Sequence, residues 1–343
     1  MARVLVTGGS GFIASYVMLA LLHAGHEVRA TLRDRAREAG VRAMLAQAGA
    51  PAGGEVSFHK AELLADEGWA AAAAGCDYVL HVASPLPAGM MASDEGHLIR
   101  AAREGTLRVL KAAREAGVRR VVLTSSFAAV GYGHPPRAGL YDERDWTDPE
   151  GADVDAYTRS KTLAERSAWD FIAREGGGME LAAVNPVVVL GPALGPDMSA
   201  SLDLVRALLD GALPATPRVY LGLVDVRDVA ELHVTAMTAA EAAGERFLAT
   251  AGEAISLHEM ARTLRAGLGP AARRVPRFEL PDIAVPLAAL ALPMARLAVP
   301  RLGIRRSASS EKARRRLGWS PRPAQEAILA TAESLIRLGL VKR

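Results

Sequence analysis

Cysteine, lysine and aromatic residues are scarce in this sequence of 343 residues. The single cysteine, Cys76, excludes an intramolecular disulfide and is compatible with a reducing cytoplasm. The histidines are scattered, and no spacing of histidine and cysteine is typical of a zinc site, so we expect chemistry without a metal. Of the 41 basic residues most are arginine, since lysine occurs only at Lys60, Lys111, Lys161, Lys312 and Lys342.

The sequence also lacks an apolar run long enough to span a membrane. The nearest candidate is the stretch IAVPLAALALPMA at 283–295, which contains two prolines. A membrane span takes about 20 apolar residues, so we predict a buried or lid-like helix there instead. The sequence opens directly on a strand pattern with no signal peptide, and we expect a cytoplasmic protein with no membrane partner.

The charge balance does not favour a nucleic-acid partner. The pI is about 9.2, but the formal net charge is only +3. The basic run EKARRRLGW near the C-terminus lies on a predicted helix that also carries acids, with few aromatic residues between the arginines. This pattern is typical of a solvated helix face. We therefore expect a small-molecule substrate and no nucleic acid, and the sequence leaves open whether the chain forms a homodimer.

Strand and helix patterns alternate along the chain, and the strands are nearly continuous apolar runs. Such strands are buried on both faces, which is typical of a parallel sheet. The predicted strands are 3–7, 27–32, 55–59, 77–82, 119–125 and 180–190. We predict an α/β fold with a Rossmann-type doubly wound parallel sheet and a smaller, interleaved C-terminal substrate domain. The nucleotide-binding domain would comprise 1–190, with 218–250 partly returning to it, and the substrate-binding domain 191–217 and 251–343.

The N-terminal segment RVLVTGGSGFIASYVMLALLHAGHEV predicts a complete βαβ unit with a glycine-rich turn. Gly8, Gly11 and Ala14 stand where side chains must be small, so that backbone amides and the helix N-terminus can approach a pyrophosphate. An isolated glycine pattern is weak evidence. Between a strand and a helix, it predicts dinucleotide binding.

Arg33 follows the second predicted strand, where an NAD-preferring enzyme usually has a carboxylate for the ribose hydroxyls. A guanidinium suits a 2′-phosphate, so we predict NADP(H) in preference to NAD(H). The neighbouring Asp34 leaves open that Arg33 is only a solvated residue of a basic loop.

Tyr157 and Lys161 in the run YTRSK lie on one face of a predicted helix. A nearby cation favours the phenolate, so we expect Lys161 to lower the pKa of Tyr157 and to make its proton transferable. Such a pair also occurs by chance on exposed helices. The scarcity of lysine makes chance a poor explanation, and the pair therefore predicts a general acid for carbonyl reduction.

With these residues the chain resembles the extended short-chain dehydrogenase/reductase superfamily. Within it, the chain is similar to the branch of dihydroflavonol reductases, cinnamoyl-CoA reductases and microbial aldehyde or methylglyoxal reductases. The resemblance covers nearly the whole chain. It rests on the glycine turn, VRATLRD at 28–34, CDYVLHVASP at 76–85, RRVVLTSS at 119–126, YTRSKTLAE at 157–165, NPVVVLGP at 185–192 and VDVRDVAELH at 224–233.

The resemblance implies a catalytic trio of Ser126, Tyr157 and Lys161, with Ser125 pointing to the opposite face of the strand. Both serines could also simply cap the strand end. Hydride would pass from the nicotinamide to a carbonyl carbon, while Tyr157 donates a proton and Ser126 holds the oxygen. The implied cofactor contacts, besides Tyr157 and Lys161, are Gly8, Gly11, Phe12, Ile13, Arg33, Glu62, Leu63, Ala83, Ser84, Pro186 and Val189. The implied substrate contacts are Leu86, Met90, Phe127, Tyr132 and Leu194.

Three residues depart from the family pattern. Glu62 replaces an aspartate that commonly meets the adenine, and the longer carboxylate can still reach it. Arg108 stands where many members have asparagine, so we assign no fourth catalytic residue. Gly131 replaces an asparagine that is usual in plant flavonoid reductases, which argues against flavonoid recognition.

The sequence thus predicts an NADPH-dependent carbonyl reductase for hydrophobic or aromatic ketones and aldehydes, because the predicted pocket residues are chiefly apolar. Three alternatives remain open from the sequence. They are a nucleotide-sugar epimerase or dehydratase that retains its NAD, a hydroxysteroid-type dehydrogenase, and a regulator that binds NADP without turnover.

Overall fold

The structure is a computed structural model that describes residues 1–54, 56–85, 95–135, 137–196, 199–291, 296 and 298–342. Its strands are β1 Arg3–Val6, β2 Glu27–Leu32, β3 Val56–Lys60, β4 Tyr78–His81, β5 Arg120–Thr124, β6 Glu180–Pro186, β7 Val188–Leu190, β8 Thr216–Pro217, β9 Tyr220–Leu221, β10 Leu223–Asp225, β11 Arg246–Ala249, β12 Ile255–Ser256 and β13 Glu279–Leu280. Its α-helices are α1 Phe12–His23, α2 Glu38–Gln47, α3 Trp69–Ala73, α4 Glu95–Glu115, α5 Ala156–Glu175, α6 Ala200–Leu209, α7 Val226–Thr238, α8 Leu257–Leu268, α9 Val285–Ala291, α10 Glu311–Leu317 and α11 Ala324–Arg337.

Seven parallel strands form the main sheet in the order β11-β6-β5-β4-β1-β2-β3. The strand order reverses between β1 and β4, and in doubly wound sheets a ligand binds at this point, beyond the carboxyl ends of the strands. The sheet confirms the predicted fold class. Helices α1 and α7 pack on one face, and α4 and α5 on the other.

The predicted strand 180–190 is wrong in one respect, because the chain leaves the main sheet after Pro186. Strand β6 ends there, and β7 pairs instead with β10 in a separate two-stranded sheet. The amide of Val187 still donates to the Ala249 carbonyl at 3.1 Å, so the chain turns out of the main sheet directly at the carboxyl end of β6. The segment 218–250, which is predicted to return partly to the nucleotide-binding domain, contains α7 and β11.

A second apolar core lies beyond the main sheet. Its buried side chains come chiefly from α6, α8 and α11, and include Leu202, Leu208, Met260, Leu264 and Ile328. Two hydrogen bonds join helix α11 to the loop after β7. The amide of Gly191 donates to Thr331 Oγ1 and that of Ala193 to Ser334 Oγ, each at 2.7 Å. The proposed boundaries of the two domains stay a prediction.

The apolar stretch at 283–295 begins with a 3₁₀ turn and helix α9, and 292–295 lie outside the described residues. The sequence predicts a buried or lid-like helix here, and burial is wrong for three large side chains of this turn and helix. Ile283, Leu287 and Leu290 are 84%, 69% and 77% exposed. Among the helices that the structure describes, none combines the length and the hydropathy needed to cross a membrane.

Candidate active site

The glycine-rich turn between β1 and α1 has the geometry that a pyrophosphate site needs. Gly8 has φ of +72°, and a Cβ there would lie 3.0 Å from the Cα of Ala83. A Cβ on Gly9 would meet the Ala30 side chain at 2.9 Å, a restriction that the sequence did not reveal. The turn therefore accepts only glycine at both positions and keeps the backbone accessible.

Helix α1 begins at Phe12, directly after this turn. Its N-cap residue Gly11 makes no side-chain cap bond, and the first turn of the helix carries no acidic residue. The first amides of a helix lack acceptors within the helix, and they carry the positive end of its dipole. The N-terminal end of α1, at Phe12 and Ile13, therefore suits an anionic diphosphate.

Ala83 and Ser84 follow β4 and lie beside the glycine turn. The hydroxyl of Thr7 fixes this arrangement, because its Oγ1 accepts from the Ala83 amide at 2.9 Å and contacts His81 Nδ1 at 2.8 Å. His81 is buried, and burial together with the Lys161 charge lowers its pKa to about 3, so that its ring is neutral. This Thr7–His81 contact could not be predicted from the sequence, which shows only one polar residue in each of two apolar strands.

The region after β2 carries the residue predicted to select the cofactor. Arg33 is exposed directly beyond Leu32, the last residue of β2. The neighbouring Asp34 is engaged locally, since its Oδ1 accepts from the Ala36 amide at 2.9 Å, and Arg35 pairs with Glu38 at 2.7 Å. Arg33 is therefore presented to solvent at the place where a 2′-phosphate is expected.

Glu62 and Leu63, the predicted adenine contacts, lie in the loop after β3. The Glu62 residue is exposed, and its carbonyl accepts from Trp69 Nε1 at 3.1 Å. Arg108 donates to the Leu63 carbonyl at 3.0 Å and pairs with Asp66. Arg108 therefore holds this loop in place, which accounts for an arginine where many members of the superfamily have asparagine.

Ser126, Tyr157 and Lys161 come together at the carboxyl end of β5. Helix α5 begins just before Tyr157, because Asp155 Oδ1 caps it by accepting from the Thr158 amide at 2.8 Å. The Tyr157 hydroxyl lies close enough to the Ser126 side chain for this contact to lower the Tyr157 pKa. One turn further on, Lys161 Nζ donates to the carbonyl of Thr124, the last residue of β5, at 3.2 Å.

The acid–base properties of this trio differ from the expectation in one respect. Burial raises the pKa of Tyr157, and the interaction with Ser126 offsets this only in part. The predicted net lowering of this pKa is therefore not found, because desolvation of the phenol outweighs the groups that favour the phenolate. Burial also lowers the pKa of Lys161 to about 8, against the opposing charge of Glu165. At neutral pH the phenol keeps its proton and most of the lysine is cationic.

Two of the predicted substrate contacts, Leu86 and Met90, lie outside the described residues. Phe127 directly follows Ser126, and its ring meets that of Tyr132 edge to face with centroids 5.9 Å apart. Any side chain at Gly131 would collide with the Phe127 ring, so the departure from asparagine there is a packing requirement. Leu194 is half-buried against the first core.

Pro186 and Val189, the predicted nicotinamide contacts, are both buried at the end of β6 and in β7. Val189 is 8% exposed and belongs to the core cluster under α1 and α7. A packing role thus accounts for Val189 in the described part of the chain, and its contact with the cofactor stays a prediction.

Sequence reasoning missed a buried polar network next to the trio, formed by Ser125, Glu165, Asn185 and Arg246. The prediction that Ser125 points to the face opposite Ser126 is not confirmed, because Ser125 bonds Glu165 and Ser126 contacts Tyr157, and both partners lie on α5. Glu165 stood in the motif YTRSKTLAE without an assigned role. Its partner Arg246 is 81 residues away, so only the fold shows that the two meet.

Comparisons with known proteins identify the family of the chain. The model of the NAD dependent epimerase/dehydratase family matches residues 4–249. The chain belongs to this family. A cinnamoyl-CoA reductase of Medicago truncatula is 38% identical over 253 residues, which cover 71% of this chain and 75% of that protein. A dihydroflavonol 4-reductase of Zea mays is 32% identical over 292 residues, covering 81% and 76%.

Solved structures of similar fold include yeast methylglyoxal/isovaleraldehyde reductase complexed with NADPH. It is 24% identical with a TM-score of 0.80, covering 98% of this chain and 99% of that chain. Vestitone reductase from alfalfa is 22% identical with a TM-score of 0.76, covering 99% and 100%. These findings confirm the predicted fold, and with the sequence relatives they confirm an oxidoreductase of the extended short-chain dehydrogenase/reductase superfamily.

Proposed function

We propose that this protein is an NADPH-dependent carbonyl reductase for hydrophobic or aromatic ketones and aldehydes. The observation that carries the proposal is the convergence of Ser126, Tyr157 and Lys161 at the carboxyl edge of the sheet, beside the glycine turn. The relatives named as a cinnamoyl-CoA reductase and a dihydroflavonol 4-reductase, and the methylglyoxal/isovaleraldehyde reductase of similar fold, support reductive chemistry at a carbonyl group.

NADPH fits the residues at this edge. The uncapped amides of α1 and the narrow turn at Gly8 suit the pyrophosphate, and exposed Arg33 suits a 2′-phosphate. The yeast reductase of similar fold was solved with NADPH. When bound, the cofactor supplies the hydride for the carbonyl carbon.

The chain's own groups manage the proton and the charge on oxygen. Because burial raises its pKa, Tyr157 is a protonated phenol at neutral pH and can give its proton to the carbonyl oxygen. Ser126 holds that oxygen by a hydrogen bond. Lys161, one helical turn from Tyr157, then stabilises the tyrosinate that remains and orients the ribose of the cofactor.

The substrate class follows from the side chains around Ser126. Phe127 and Tyr132, which pack together in a small core just after Ser126, and Leu194, which is partly buried against the first core, are mainly apolar. The sequence adds Leu86 and Met90 to the predicted pocket, which would surround one polar reaction centre. A solved enzyme in complex with UDP-glucuronic acid and NAD also shares the fold, with 23% identity and a TM-score of 0.73 over 98% and 99% of the two chains. The fold therefore does not distinguish reductase from sugar enzyme, whereas Arg33 and the apolar lining favour the reductase. In this proposal residues 191–217 and 251–343 form the substrate-binding domain.

A panel of aldehydes, diketones and aromatic ketones, followed at the NADPH absorbance, tests the proposal. We expect oxidation of NADPH with several apolar members, and a kcat/KM with NADPH about tenfold or more above that with NADH. A purified protein that carries stoichiometric NAD and oxidises no NADPH across the panel would instead be an epimerase or dehydratase. Preferential oxidation of steroid alcohols would indicate the hydroxysteroid alternative, and tight NADP binding without any turnover would indicate a regulator.

A further inference from the structure

Five hydrogen bonds from four residues converge on the carboxylate of Glu165, a residue of α5 that is fully buried, and the longest runs from Arg246 Nη2 to Oε2 at 3.4 Å. Its Oε2 accepts from Ser125 Oγ at 2.5 Å and from Asn185 Nδ2 at 2.7 Å. Its Oε1 accepts from Arg246 Nε at 2.6 Å and from Trp169 Nε1 at 3.2 Å. Both oxygens are thus engaged, and the orientation of the carboxylate is fixed.

Arg246, the first residue of β11, holds this carboxylate and is itself held. Its side chain is 8% exposed, and its Nη1 donates to the carbonyls of Glu143 at 3.0 Å and Asp145 at 2.8 Å. The guanidinium also lies 3.7 Å from the centre of the Trp146 ring. A planar fork with this many partners has one orientation, which it passes on to Glu165.

The network reaches every backbone segment that carries the trio. Ser125 is bonded to Glu165 and directly precedes Ser126. Asn185 Nδ2, besides its bond to Glu165, donates to the Ser126 carbonyl at 3.2 Å. Lys161 lies one turn before Glu165 on α5. A single carboxylate therefore ties α5 to the ends of β5 and β6.

We propose that Glu165, oriented by Arg246, is a positioning residue that holds Lys161 and Ser126 in register and places a negative charge beneath the Lys161 ammonium. It touches neither substrate nor cofactor and acts through these two residues. The inference rests on the proposed function for its catalytic meaning, but not for its electrostatic part.

The electrostatic part follows from what surrounds Lys161. Burial lowers its pKa to about 8, and the Glu165 charge acts in the opposite direction. Among the described residues, the other titratable groups near it are Tyr157 on α5, His81 on β4 and His233 on α7, all neutral at pH 7, while Arg246 on β11 lies behind Glu165. Removing the Glu165 charge should therefore make Lys161 lose its proton at lower pH.

Lysine NMR tests this directly and without any cofactor. With only five lysines in the chain, protein labelled with [ε-¹³C]lysine gives few signals, and Lys161→Arg identifies that of Lys161. In Glu165→Gln, which keeps the shape of the side chain, we expect the Lys161 titration midpoint to move to lower pH by about one pH unit.

The buried arginine left by Glu165→Gln destabilises the fold, so the double variant Glu165→Gln/Arg246→Met is measured beside it. It replaces the ion pair by neutral side chains, and it should recover thermal stability while keeping the lowered Lys161 midpoint. Asp228→Asn is the matched control. Asp228 is a buried residue whose carboxylate accepts from Arg322 and whose backbone carbonyl accepts from Trp319 Nε1, and none of these bonds involves the trio.

Enzyme kinetics with NADPH supply the second readout. In the double variant we expect kcat to fall about tenfold or more, the alkaline limb of its pH profile to move to lower pH, and KM for NADPH to change little. A Lys161 midpoint that stays in place in both Glu165 variants, or that moves equally in Asp228→Asn, overturns the proposal. If the midpoint moves but the parent protein oxidises no NADPH, the positioning role holds and the reductase assignment fails alone.

Discussion

The carboxyl edge of the main sheet buries charged side chains, whereas the second core buries aliphatic ones. At the edge, Lys161, Glu165 and Arg246 are each less than 9% exposed and satisfied by hydrogen bonds. The second core packs aliphatic side chains such as Leu208 and Ile328. Burying charge costs free energy and shifts pKa values, whereas burying aliphatic surface stabilises the fold. The buried charges at the edge are therefore suited to a reaction, whereas the aliphatic second core stabilises the fold.

The variant Tyr157→Phe should break the reaction and spare the fold. It removes only the proton donor, so we expect kcat to fall about 10²- to 10⁴-fold with NADPH affinity nearly unchanged. The measurement is steady-state reduction, with NADPH binding followed by fluorescence.

Tyr141→Phe is the control for this variant. Tyr141 is buried, and its hydroxyl has no hydrogen-bond partner among the residues that the structure describes, so its removal should leave activity and melting temperature nearly unchanged. Full activity in Tyr157→Phe would show that the phenol is not the acid.

The variant Leu208→Ala tests the other half of the comparison. Leu208 is fully buried in the second core, and truncation should lower the free energy of unfolding by about 2–5 kcal/mol. Urea denaturation measures this loss. The kcat per folded molecule should stay close to that of the parent protein, and a fall much larger than the loss of folded protein would show that this core also shapes the site.

The two buried histidines next to the edge should make the fold sensitive to acid. Burial lowers the pKa of His81 to about 3 and of His233 to about 4, both below the value in the unfolded chain. The unfolded chain therefore binds the proton first as pH falls. The stability contributed by each ring is complete above about pH 6.5 and declines below it, by about 2 kcal/mol per ring at pH 5.

The variant His233→Gln isolates this effect. Glutamine can still accept from the Thr124 hydroxyl, which contacts His233 Nε2 at 2.7 Å, but it does not titrate. Urea denaturation at pH 7 and pH 5 should show a smaller loss of stability in the variant than in the parent. The same change at exposed His23 should leave the loss as it is, and an equal slope in both variants would rule out the buried ring as the cause.

Much of the edge could be predicted from the sequence, because local patterns encode it. Each of its main features is a short motif of a few neighbouring residues: the glycine turn, the serine motif with Ser126, and the Tyr157–Lys161 pair. The structure brings all three to one place. The position of β7 and the exposed face of α9 could not be predicted, since apolar runs do not reveal which neighbour covers them. The Glu165–Arg246 pair and the raised pKa of Tyr157 depend on long-range packing, which no local pattern records.

A last prediction concerns the exposed end of β2 at the carboxyl edge, where two neighbouring arginines can be compared. Arg33 is exposed at the end of β2, and the neighbouring Arg35 is exposed too but pairs with Glu38 at 2.7 Å. A charge-assisted contact to a 2′-phosphate contributes about 1.5–3 kcal/mol, so Arg33→Ala should lower the preference for NADPH over NADH by about 10- to 100-fold. Arg35→Ala should change it little, because that charge is already engaged. The kcat/KM ratio for the two cofactors measures both, and a larger effect of Arg35→Ala would move the 2′-phosphate contact to that residue.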